Sequence, residues 1–137
     1  EPKKTIDWLK QNAKDMSFNG VKDDLSNLSA MLPYSFEIGN QRYEMTYQDQ
    51  TLTITSVSTN QKWDIEESQL YLIWDDVRVS SVFAEKDASE VKKLAYGLLH
   101  ATGYLSKIKI YDSKTDSMIP GYQINSGLGR VLGFKEG

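Results

Sequence analysis

Residues 87–103 read DASEVKKLAYGLLHATG, and the rest of the chain is ordered around this stretch. Asp87 offers a side-chain acceptor to the unsatisfied N–H groups of a first helical turn. Glu90 stands at the N3 position of a capping-box-like pattern. Both carboxylates suit the positive end of the helix dipole. Val91, Leu94, Ala95, Leu98 and Thr102 recur at helical spacing, with Leu99 at the edge of the stripe. Gly103 stands where a helix ends in a left-handed residue. The spacing predicts a capped helix over about 87–102 with one face to bury. Lys93, Tyr96 and His100 fall on the opposite face, where a solvated surface is expected.

Upstream, Thr5 to Ser17 reads as an amphipathic helix, with Ile6, Leu9, Ala13 and Met16 in its apolar stripe and Asn19-Gly20 at its end. A second, weaker helical pattern runs from Lys22 to Met31, limited by Pro33. From Tyr34 the period changes to two. Tyr34, Phe36 and Ile38 alternate, Gly39-Asn40 offers a tight turn, and Tyr43, Met45 and Tyr47 alternate on the return. Asp49-Gln50 and Thr59-Asn60 mark further turns around Leu52 and Ile54, and Trp63 and Ile65 begin another strand. The expected break is near Glu67-Ser68. Leu70 to Phe83 then reads as the most hydrophobic strand region, covered on both faces or bent near Asp75-Asp76.

Beyond Gly103, Leu105, Ile108 and Ile110 predict a strand, Asp112 to Ser117 a polar turn, and Met118 to Ile124 a return strand interrupted by Pro120-Gly121. Connections this short cannot be crossovers, so the sheet is expected to be antiparallel. The predicted fold is α+β. It has an antiparallel meander sheet of about five to seven strands, one or two N-terminal helices, and the capped helix (about 87–102) packed on one face. Residues 1–137 are expected to form a single α+β domain. The order of elements singles out no family.

A formal net charge of −3 argues against a general nucleic-acid binder, which needs a basic footprint. The chain has no cysteine, which removes disulfides, thiolate metal sites and cysteine catalysis. No apolar run approaches the ~20 residues of a spanning helix. Glu1 is not an initiator methionine, and Glu1-Pro2-Lys3-Lys4 reads as a junction left after a removed leader. With the Ser, Thr, Tyr, Asn and Gln usage, this favours an exported bacterial domain (periplasmic, cell-surface or secreted) over a cytoplasmic one.

Chemistry-bearing patterns are sparse. His100, the sole histidine, lies on the predicted polar face near a helix C-terminus, which suits a cation more than a catalyst. Asp75 and Asp76 resemble an acid pair, yet neighbours on a strand point to opposite faces. Residues 112–117 have oxygen ligands at alternate positions but lack the glycine and distal glutamate of a calcium loop, so an Asx-type turn is the simpler expectation. Gly127 to Gly133 is glycine-rich, but only four residues follow it, too few to complete a dinucleotide-binding unit.

The aromatic residues carry the functional expectation. If helices cover one sheet face, Tyr43, Tyr47 and the out-of-phase Tyr71 lie on the open one and form a binding surface. The expected function is therefore a non-enzymatic binding or protein-interaction module that offers a sheet face or edge to a protein partner, without a cofactor or metal. The alternative is a small-ligand binder with an aromatic pocket between sheet and helix, among Trp63, Tyr71 and Trp74. A hydrolase using Asp75, Asp76 or His100 ranks third.

Overall fold

A computed structural model of the chain describes residues 17–80 and 82–125. The helix expected over 5–17, up to its last residue, and the glycine-rich segment at 127–133 lie outside these residues. The described chain is α+β, with three helices and seven strands. Helix α1 (Phe18–Leu28) leads into strands β1 (Tyr34–Ile38), β2 (Gln41–Gln48), β3 (Thr51–Ser56) and β4 (Lys62–Glu66). Helix α2 (Glu67–Ser80) and strand β5 (Val82–Ala84) follow. Helix α3 (Glu90–Ala101) and the hairpin β6 (Leu105–Asp112) and β7 (Ser117–Ile124) complete it. All strand pairs are antiparallel, but they divide into two sheets, ordered β1-β2-β3-β4 and β5-β7-β6.

The four-stranded sheet is a ladder of period-two strands, and directly opposed residues share a face. Phe36 opposes Tyr43, Met45 opposes Ile54, and Leu52 opposes both Tyr47 and Ile65. This face is apolar and carries the buried Phe36, Met45, Leu52, Ile54 and Ile65. The helices close over it, α1 against β2, α2 against β3 and β4, and α3 against β1. The other face carries Glu37, Arg42, Glu44, Thr53 and Asp64, with Thr53 Oγ1 donating to Asp64 Oδ1 at 2.8 Å.

Helix α1 begins at the place where a helix was expected to stop. Ser17 is its N-cap and accepts from the Gly20 N–H at 3.1 Å, so Asn19 and Gly20 form its first turn. Its end is tied to the sheet through Ser29, whose hydroxyl donates to Leu25 O at 2.9 Å and accepts from the Tyr47 N–H at 3.2 Å.

The largest departure from expectation is residues 70–80, which are helix and not strand. Leu70, Ile73, Trp74 and Val77 are the buried side chains of α2, at i, i+3, i+4 and i+7. Glu66 and Glu67 do not break the chain. The Glu67 N–H still donates to Gln50 O at 2.9 Å as β4 passes directly into α2. A helix wins because it gathers the four core residues on one side. A strand would have sent Leu70, Leu72 and Trp74 to one face and Tyr71, Ile73 and Val77 to the other.

Helix α3 holds the centre between the two sheets, against β1 of one and β6 of the other. Its N-cap is Ser89, which accepts from the Lys92 N–H at 3.3 Å, two residues past the expected Asp87. Asp87 instead closes a 3-10 turn, Glu85–Asp87. The far end matches the sequence reading. Thr102 caps it, and Gly103 takes a φ of +93°, open to glycine without a Cβ clash. The expected solvated face does not exist in full. Tyr96 is buried, with its ring 4.6 Å from Phe83 and 5.8 Å from Tyr122, because the three-stranded sheet covers that side. Gly97 sits so close to β1 that a Cβ would lie 2.4 Å from Ile38 Cγ1.

Candidate functional site

The five aromatic residues singled out from the sequence fall in three places. Tyr43 and Trp63 lie on the helix-covered face of the four-stranded sheet, half-buried, with ring centroids 6.3 Å apart. Tyr47 shares that face, so the expectation that Tyr43, Met45 and Tyr47 line an open face is corrected. Cross-strand register puts them with Phe36, Ile54 and Leu52, where the apolar face must be buried. Trp74 is 1% exposed and packs edge-on to Tyr104 at 5.6 Å. Tyr71 alone stands outside. No single pocket gathers Trp63, Tyr71 and Trp74.

Tyr71 belongs to a surface that the sequence reading missed, the outer side of α2. At about 100° per residue, Tyr71, Leu72, Asp75 and Val79 fall within roughly 100° of arc, opposite the Leu70/Ile73/Trp74/Val77 stripe. Tyr71, Leu72 and Val79 are 46%, 66% and 78% exposed. Helix α2 is thus apolar on two sides, and only one of them meets the core. The signal was present as apolar residues left over after the core stripe is assigned at helical spacing. It was hidden by reading the stretch with period two.

At its N-terminal end this stripe runs into a groove against α1, of about 460 Å³ and lined by Phe18, Lys22, Glu67, Ser68, Tyr71 and Leu72. The Phe18 and Tyr71 rings meet edge to face at 5.2 Å. Lys22 Nζ lies 5.1 Å from the Phe18 ring centroid and 2.7 Å from Glu67 Oε1. Tyr47 Oη donates to the same carboxylate oxygen at 3.2 Å. The Lys22 hydrogen bond holds the Glu67 carboxyl below its ordinary range, aided by Tyr47. Burial, together with the Glu67 charge, pushes the Tyr47 phenol up to about 12. The groove floor is therefore a fixed ion pair beneath two aromatic rings, built from α1, α2 and the end of β2.

The other candidates carry less. Asp75 and Asp76 sit in mid-helix, the first on the outer stripe. Asp76 lines a small cleft of about 160 Å³ with Lys92 and Tyr96. The carboxyls that their surroundings shift, Glu67 and Asp112, both move down, opposite to a general acid. Asp112 forms the expected Asx-type turn, accepting from the Lys114 N–H at 3.2 Å, and pairs with Lys86 at 2.7 Å. Among the described residues, no group of three or more His, Cys, Asp or Glu is placed to hold a metal ion. No described helix is long and apolar enough to cross a membrane.

His100 is not the exposed cation expected of it. It is half-buried, with its ring 6.2 Å from that of Tyr122, and burial followed by the Lys107 charge lowers its pKa. Comparison with protein-family models, curated proteins and solved structures finds no match for this chain.

Proposed function

We propose that this chain is a protein-interaction module that docks a partner on the outer side of α2 and the groove between α2 and α1. The carrying observation is the exposed stripe of Tyr71, Leu72 and Val79 running into a groove built on Phe18 and Tyr71. A solvated helix face is normally polar, and a contiguous apolar stripe with a charged rim is the composition of a recognition surface. The open face of the four-stranded sheet, with Glu37, Arg42, Thr53 and Asp64, has the opposite character. The reading thus keeps the expected binding role and moves it from a sheet to a helix. It accommodates an exported bacterial setting, as the composition suggests, and does not depend on it.

Site-specific photo-crosslinking in the producing cells tests the proposal. A benzophenone side chain at Leu72 or Val79 is expected to trap a discrete protein, while the same group at Thr53 on the polar sheet face traps none. Equal trapping at Thr53, or none at either α2 position, would falsify the docking role.

A further inference from the structure

The groove does not stand alone. Glu67 and Ser68 also line an adjoining cleft of about 360 Å³ whose remaining walls include Asp49, Gln50 and Glu66. Asp75 lies one helical turn beyond Tyr71 and Leu72 on the same outer stripe. Among the described residues, no ion pair is made to Asp49, Glu66 or Asp75. The cation at the groove, Lys22, is already held by Glu67 at 2.7 Å and lies over the Phe18 ring. The N-terminal end of α2 adds only about half a positive charge at this edge. The apolar groove is therefore bordered on two sides by carboxylates that outweigh the local positive charge.

We infer that the occupant of this groove is a protein segment that sets apolar side chains beside lysine or arginine side chains. The inference rests on the docking role proposed above. An apolar side chain of such a segment enters between Phe18, Tyr71 and Leu72. Its basic neighbours reach Asp49 and Glu66 on one side and Asp75 on the other. The same rim repels a phosphodiester backbone, an anionic lipid surface or an acidic peptide, so charge selects among apolar partners here.

Three synthetic peptides test this on the purified chain: an amphipathic leucine–lysine helix former, its leucine–glutamate counterpart with the same leucines, and a lysine–glycine peptide. Affinity is read by titration, and the site by NMR shifts of the Leu72 and Val79 methyls. The leucine–lysine peptide is expected to bind about tenfold more tightly than the leucine–glutamate peptide, with shifts at Leu72. That ratio is expected to fall toward one in the Asp49→Asn/Glu66→Gln variant, and in the unmodified chain at ~0.5 M salt, which needs no variant to fold.

Equal binding of both leucine peptides overturns the charge inference and leaves the docking role standing. Tighter binding of the glutamate peptide, or lysine–glycine binding as tight as leucine–lysine, also overturns it. If no peptide binds while crosslinks at Leu72 persist, the basic segment is the wrong occupant. If those crosslinks are absent too, the docking role has failed first. Self-association in sedimentation that Leu72→Ser abolishes would make the occupant a second copy, and likewise overturns the inference.

Discussion

His100 shows how one residue's chemistry is set by what packs on it. A helix C-terminus favours the imidazolium, but the Tyr122 ring and partial burial favour the neutral form, and Lys107 adds repulsion. Desolvation is the largest cause, so the folded-state pKa lies below the ordinary 6.5. As the pH falls, the unfolded chain takes up this proton first. The resulting stability is fully present above about pH 6.5 and is lost as the pH falls from there through the folded value. As the chain has a single histidine, its Cε1 proton is a clean NMR probe. We expect a midpoint below 6.5, and a shallower fall of Tm between about pH 7 and 5 in His100→Gln. A midpoint at or above 6.5 contradicts this environment.

The element that matters most is α2, whose two sides make opposite predictions. Trp74 is fully buried against Tyr104, so Trp74→Ala removes a large core side chain and leaves a cavity, at a cost of ~3–5 kcal/mol. Leu72 is two-thirds exposed, so Leu72→Ser is expected to change stability by no more than about 0.5 kcal/mol. Urea unfolding of the two variants separates them. A loss above ~2 kcal/mol in Leu72→Ser would mean that the outer stripe is structural and not available for docking. The same two-sidedness explains why this element was misread. Five consecutive apolar residues, Leu70 to Trp74, look like a strand buried on both faces, and nothing local separates that from a helix with apolar residues all round. The aromatic candidates fared unevenly for a related reason. Tyr71 could be placed only once the helix was known, and Tyr47 enters the site only through Glu67, a contact across 20 residues of chain.

Across the whole molecule, α3 joins the two sheets, and its join to the larger one runs through Gly97. Alanine there gains about 1 kcal/mol of helix propensity but drives a methyl into Ile38, an overpacking cost of about 1–3 kcal/mol. We expect Gly97→Ala to destabilise by about 1 kcal/mol, and to become neutral or stabilising in an Ile38→Ala background. A double-mutant cycle in urea measures this. A stabilising Gly97→Ala in the native background would show that Ile38 swings aside freely and that the close approach is not what sets the spacing of helix and sheet.

The four-strand ladder from Tyr34 to Glu66, the helix ending at Gly103 and the hairpin from Leu105 to Ile124 were all legible in the sequence alone. Each is written in local terms, with a period matched to one buried face and turn residues between strands. Only the tertiary structure decided that the strands split into two sheets, that Tyr43 and Tyr47 face the helices, and that residues 67–80 coil. Strand partnership is a choice between segments distant in sequence, and a face is inner or outer only by virtue of what covers it. The apolar residues on the outer side of α2 blurred its helical period, and those residues form the proposed docking surface.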